Sequence, residues 1–175
     1  NNDGFIEELD ITSIGYNRLC PVLYYAFNVV LEYQGVGISA VFQGAANYSA
    51  GMGVAGRAYP LIDNSSITDE YYNNRWTPEN PNAKYPHLTT TLNNNNNEGN
   101  DVWLRDRSFL KLRTCELYYK LPETWVSKIR MTNAKVYVRG MNLFSMDKLN
   151  GTDPEVIGMV YPTWRSYHIG ITFGF

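Results

Sequence analysis

The nine residues that close the chain, Tyr167-His168-Ile169-Gly170-Ile171-Thr172-Phe173-Gly174-Phe175, constrain the fold more than any other segment. In an extended strand successive side chains point to opposite faces. Tyr167, Ile169, Ile171, Phe173 and Phe175 therefore share one face, and His168, Gly170, Thr172 and Gly174 share the other. A strand whose one face is wholly apolar must bury that face in a core or in lipid. Chain ends fray unless something ties them down, so an end this apolar is expected to be held. Nine residues is also the length of a tilted strand that crosses a bilayer.

The totals narrow the choice. By length alone, 175 residues are expected to form one domain or one and a half. A net charge of −2 supplies no electrostatic reason to bind nucleic acid. Mean hydropathy is −0.34 and no apolar run approaches the length of a transmembrane helix, which excludes helical spans. A transmembrane β-barrel stays open, because a polar interior face dilutes the average. The chain starts Asn1-Asn2-Asp3-Gly4, without an initiator Met or a basic and apolar leader, so any signal peptide is expected to have been removed or to lie upstream. Cys20 and Cys115 match no metal or redox spacing and are expected to be two unpaired thiols.

Alternation extends upstream. Leu23, Tyr25, Phe27, Val29, Leu31 and Tyr33 form one stripe, and a short turn at Gln34-Gly35 leads to Val36, Ile38, Ala40 and Phe42 in phase. In 108–121, Leu110 and Leu112 hold one phase while Cys115, Leu117 and Tyr119 hold the other. A regular strand cannot switch faces, so a bulge is predicted near Arg113 or Thr114. Val136, Val138 and Gly140 alternate with Lys135, Tyr137, Arg139 and Met141. Five strands result, at 23–34, 36–46, 108–120, 134–144 and 166–175, with about one helical turn expected between 121 and 133.

The connections alternate between short and long. Strand parity puts the turn at 35 and the 121–133 link at one end, and segments 1–22, 47–107 and 145–165 at the other. That asymmetry is typical of an outer-membrane barrel. Aromatics are expected to gather at both ends: Tyr33, Tyr119, Trp125 and Phe175 at the short-turn end, and Tyr24, Tyr25, Phe109, Trp164 and Tyr167 at the long-loop end. Aromatics capping the edge of a soluble β-core give the same pattern, so both readings stay open.

No chemistry-bearing constellation stands out. His87 and His168 are isolated, and the adjacent carboxylates Glu7-Glu8 and Asp69-Glu70 sit in loops. Asp147, Asp153 and Glu155 gather in one loop and suit a cation, although Asp153-Pro154 is more simply a turn. The five asparagines at 93–97 read as a loop tip. No catalytic residue, no cofactor site and no metal site is expected, and the chain does not read as an enzyme.

Several segments nonetheless resemble one family. Trp76-Thr77-Pro78-Glu79-Asn80-Pro81 with Lys84-Tyr85-Pro86, the run from Val102 through Trp103-Leu104-Arg105-Asp106 to Arg113, and Leu117-Tyr118-Tyr119-Lys120-Leu121-Pro122 are similar to segments of SusC/RagA-type TonB-linked outer-membrane proteins of Bacteroidetes. So are Val136-Tyr137-Val138-Arg139-Gly140-Met141-Asn142-Leu143-Phe144, Gly151-Thr152-Asp153-Pro154-Glu155, Tyr161-Pro162 with Arg165, and the terminal strand. Near the start, Tyr25-Ala26-Phe27, Tyr33-Gln34-Gly35 and Phe42-Gln43-Gly44 continue the series. The pattern departs at His87, where Arg is usual, and at Tyr118, where Gly is usual.

The resemblance implies an all-β chain: about five C-terminal strands of a 22-stranded transmembrane β-barrel with long extracellular loops. Residues 1–175 are then the C-terminal part of a TonB-dependent receptor barrel whose plug domain lies outside this sequence. The implied function is TonB-dependent import of large nutrients, oligosaccharides or oligopeptides, across the bacterial outer membrane. Its implied partners are a SusD-like surface lipoprotein acting as lid, TonB acting through the absent N-terminal part, the rest of the barrel chain, outer-membrane lipid, and a glycan or peptide ligand. The alternatives are a soluble surface β-sandwich that binds carbohydrate, and a passive porin or adhesin barrel. Tyr167, Ile169, Ile171, Phe173 and Phe175 would serve as the barrel-assembly signal. Tyr71, Tyr72, Trp76 and Trp103 are the candidate ligand or lid contacts, with packing inside the loop as the competing use.

Overall fold

The structure, a computed structural model, describes residues 4, 8, 11–51, 60–91, 100–149, 153–156 and 163–175. Five long strands make one antiparallel sheet: β1 (Leu23–Tyr33), β2 (Val36–Ala46), β5 (Phe109–Lys120), β6 (Asn133–Asp147) and β7 (Ser166–Gly174). Their order is β1-β2-β5-β6-β7, so each long strand pairs with its neighbour in sequence. Two short strands, β3 (Ser49–Gly51) and β4 (Leu104–Asp106), pair with each other. The chain divides into a loop unit of residues 1–20 and 48–106 and a sheet unit of 21–47 and 107–175.

Register carries the alternation of single strands across the whole sheet. Leu31, Ile38, Leu117, Val138 and Ile169 stand opposite one another in a single row through β1, β2, β5, β6 and β7. The next row is Tyr33, Val36, Tyr119, Val136 and Ile171, and Ala134 with Phe173 follows it. On the opposite face the corresponding rows read Glu32-Gly37-Tyr118-Tyr137-Gly170 and Val30-Ser39-Glu116-Arg139-His168. A slip of one residue in any strand would exchange the faces.

The phase switch in β5 is absorbed where the sequence predicts it. Pairing with β2 jumps from Thr114 to Leu112, and pairing with β6 jumps over the same residue, Arg113. Against β6 the interruption faces Asn142 and Leu143, and Asn142 takes a left-handed φ of 53°. Asn tolerates that conformation better than a bulky or β-branched residue. Beyond the bulge the apolar rows resume as Phe27-Phe42-Leu112-Phe144, with the Phe27 and Phe42 rings stacked 4.8 Å apart. β6 extends to Asp147, three residues past the predicted end, because Phe109–Leu112 continue to pair with it.

At one end of the sheet the connections are short. Gln34 (φ 50°) and Gly35 (φ 84°) form a two-residue hairpin turn in which both residues have positive φ. The β5–β6 link contains a helical turn, α2 (Glu123–Val126), continued as a 3-10 turn over Ser127–Ile129. Because Gly174 pairs with Asn133, β7 ends at this end too. Two aromatics depart from the expected girdle. Tyr24 and Phe109 lie out of phase with Tyr25 and Leu110, so they share a row of the polar face with Ala45, and Phe109 is buried.

Candidate functional site

The sheet's apolar face is its most demanding feature. Leu31 is 63% exposed, Leu117 55% and Ile169 81%, and the row of Tyr33, Val36, Tyr119, Val136 and Ile171 is exposed throughout. Covering one such side chain is worth about 1.5–3 kcal/mol. A continuous face of this size needs an apolar phase or partner against it.

The polar face is built differently. Glu116 is buried and accepts from Lys135 Nζ and Arg139 Nε, each at 2.8 Å. Glu32 accepts from Lys120 Nζ at 2.7 Å and from the Tyr118 hydroxyl at 2.6 Å. These partners come from three strands and lie up to 88 residues apart in sequence. Tyr118 and Tyr137 stand directly opposite each other and lean apart, over Gly37 and Gly170. A Cβ at Gly37 would come within 2.2 Å of the Tyr118 ring, and one at Gly170 within 2.5 Å of the Tyr137 ring. The polar face of the terminal strand carries glycine because a tyrosine ring occupies the side-chain space.

Further along, Lys111 and Arg113 meet Asp153 and Glu155. Burial works to raise the Asp153 carboxyl. Lys111, the Thr163 hydroxyl and the Glu155 N–H outweigh it and hold that carboxyl below the usual aspartate range. The three carboxylates of this loop do not converge on a cation site. Asp147 instead accepts from the Ser145 hydroxyl at 2.6 Å and the Leu149 N–H at 3.0 Å. No metal-binding group of three or more His, Cys, Asp or Glu occurs among the described residues.

The loop unit has its own core. Tyr71, Tyr85 and Trp103 are buried and mutually stacked, with Tyr71 and Tyr85 centroids 4.7 Å apart and Ile67, Leu88 and Val102 around them. Tyr71 comes from the short helix α1 (Asp69–Asn73), where the Thr68 hydroxyl caps the Tyr71 N–H. Thr77-Pro78-Glu79-Asn80 closes a β-turn, with Asn80 N–H donating to the Thr77 carbonyl at 2.9 Å and Pro at its favoured second position. Trp76 N–H donates to the Tyr85 carbonyl at 2.8 Å, and Tyr85 N–H to the Asn74 carbonyl at 3.0 Å. The Trp-x-Pro-Glu-Asn-Pro…Tyr-Pro pattern is thus a clip that fastens the loop to itself. Burial, with the neighbouring Tyr85, pushes the Tyr71 hydroxyl up to about 12. The Lys84 hydrogen bond to Glu70 (2.6 Å) raises the Lys84 ammonium above its usual range.

The four candidate contact residues therefore divide. Tyr71 and Trp103 face the loop unit's own core, whereas Tyr72 and Trp76 are exposed at 50% and 40%. Arg75 lies 3.9 Å from the Tyr72 ring centre, and His87 meets Trp76 edge-on at 5.9 Å. In the terminal strand Tyr167, Ile169, Ile171 and Phe173 share the apolar face, and Phe175 follows the last paired residue. His168 is exposed, with Nε2 3.2 Å from the Ser166 hydroxyl. Cys20 and Cys115 are free thiols. The residues at 93–97, Glu7, Gly151, Thr152, Tyr161 and Pro162 lie outside the described residues. Sequence reasoning missed the Lys111–Asp153 and Glu116–Arg139 partnerships, which carry no local signal.

No protein-family profile matches the chain. Two TonB-dependent receptors of Formosa agariphila are similar to it. P26 is 27% identical over 171 residues and P3 is 24% identical over 179, each aligned to 89% of this chain. The chain spans only 15% and 16% of their respective lengths. Among solved structures it superposes on the RagAB peptide transporter with a TM-score of 0.65 at 24% identity, covering 85% of this chain and 17% of that one. On the RagAB peptide importer in its open-open state the TM-score is 0.67 at 22% identity, covering 89% and 17%. The sheet thus has the fold of a strip of those barrels, and the resemblance to TonB-linked receptors of Bacteroidetes holds.

Proposed function

We propose that this chain forms the C-terminal strip of a 22-stranded outer-membrane barrel that imports large nutrients in a TonB-dependent manner. The observation that carries the reading is the two-faced sheet, with unbroken rows of exposed aliphatic and aromatic side chains on one side and ion-paired rows on the other. A closed barrel in lipid requires that division. Segments 1–22, 47–107 and 145–165 then face outside, and the turns at 34–35 and 121–132 face the periplasm. The edge strand β7 pairs with the first strand of the barrel, and Tyr167, Ile169, Ile171, Phe173 and Phe175 form the signal read during assembly.

The cargo class is an oligosaccharide or an oligopeptide, the partners are a SusD-like lipoprotein and TonB, and Tyr72 and Trp76 are the exposed loop contacts offered to ligand or lid. Similarity to a peptide transporter favours peptide as the first cargo to test. Fractionation of the full-length protein tests the membrane reading. The protein should stay with the outer membrane through salt and carbonate washes and leave it only in detergent, whereas release by salt alone would favour the soluble β-sandwich. Loss of nutrient uptake on deleting TonB separates an active importer from a passive porin.

A further inference from the structure

We propose that Asp153-Pro154-Glu155 is an ionic strap that holds residues 153–156 against the polar face of the sheet. The strap goes beyond the import reading and stands whether or not that reading does.

Lys111 lies in the body of β5, yet its side chain is only 5% exposed. Its ammonium pairs with Asp153 Oδ1 and with Glu155 Oε2, the latter at 2.8 Å. Arg113, at the bulge, also binds Glu155 and is steadied by Gln43 on β2 at 2.9 Å and by Asn142 on β6 at 3.4 Å. Arg107 Nε donates to the Pro154 carbonyl, and Pro154 is less than 2% exposed. Three cationic side chains within seven positions of the chain thus grip three consecutive loop residues.

The turn is shaped for this before it docks. Asp153 accepts the Glu155 N–H at 2.9 Å, and Val156 N–H donates to the Asp153 carbonyl at 3.1 Å. Such an Asx turn, with Pro fixing the central φ, leaves both carboxylates on the side that faces Lys111 at little further entropic cost. Lys111 Nζ occupies the position a bound cation would take between Asp153 and Glu155. The bulge supplies the other half of the fit, because the residue skipped in both registers, Arg113, is the one that reaches Glu155. Residues 153–156 thereby stay against the sheet while the strap is closed.

The test is hydrogen exchange across residues 153–156 in the full-length protein. Lys111→Met keeps the length of the stem and removes the charge, leaving two carboxylates that are better solvated in water than against the sheet. Exchange over 153–156 should rise about tenfold or more, with β6 and β7 unchanged. Unchanged exchange over 153–156 overturns the strap. Should Lys111→Met loosen the strands as well, Asp153→Asn with Glu155→Gln decides. Asn still accepts the Glu155-position N–H, so that variant removes charge from the loop without touching the sheet. A rise over 153–156 then supports the strap, and no rise overturns it.

Discussion

At the residue scale the sheet depends on pairs in which one partner is a glycine. Gly37 and Gly170 are defined by the tyrosine ring standing over each, and a methyl at either position would overlap Tyr118 or Tyr137. Gly170→Ala should destabilise the protein by about 1–3 kcal/mol through overpacking. The same change combined with Tyr137→Ala should cost less than the sum of the two single changes, which thermal unfolding of the four variants checks. Tyr71 makes a second prediction. Its hydroxyl is held up to about 12, so the folded loop favours the neutral phenol. That contribution is complete below the titration of an unfolded tyrosine, about 10, and is lost as pH rises through the folded value. Ultraviolet titration of the tyrosinates should show one group ionising last, and Tyr71→Phe should remove it.

At the element scale the bulge is the decisive irregularity. Arg113 rephases β5, so Leu110 and Leu112 join the same face as Cys115, Leu117 and Tyr119. Deleting Arg113 should bring Leu112 beside Thr114 in regular alternation, so β5 should keep both faces without its bulge and the heat-modifiable folded band of the full-length protein should persist. At Asn142, whose φ is positive, Val should cost about 1–2 kcal/mol and Gly far less. Much of this level was legible beforehand. The five strands, the hairpin turn and the bulge all follow from the alternation of neighbours, a local property. The internal clip of Trp76 to Tyr85 was not legible as structure, because its hydrogen bonds join residues whose spacing matches neither strand nor helix.

At the scale of the whole molecule the two faces predict opposite tolerances. Leu117 sits mid-row on the apolar face, so Leu117→Arg should cost about 2–4 kcal/mol if that face meets lipid. His168→Lys, on the polar face, should be nearly neutral, and denaturant unfolding of the full-length barrel in the same bilayer compares the two. By itself the sequence determined which residues share a face, where the five long strands run, and where β5 changes phase, because side-chain direction in a strand repeats every two residues, whereas the three-residue strands β3 and β4 are too short to show that repeat. Only the tertiary structure decided that Glu116 meets Lys135 and Arg139, that Tyr71 and Trp103 turn inward while Tyr72 and Trp76 do not, and that Asp153 and Glu155 close on Lys111 and Arg113. Those meetings depend on strand register and on the paths of long connections, which bring together charges and rings that no local repeat relates.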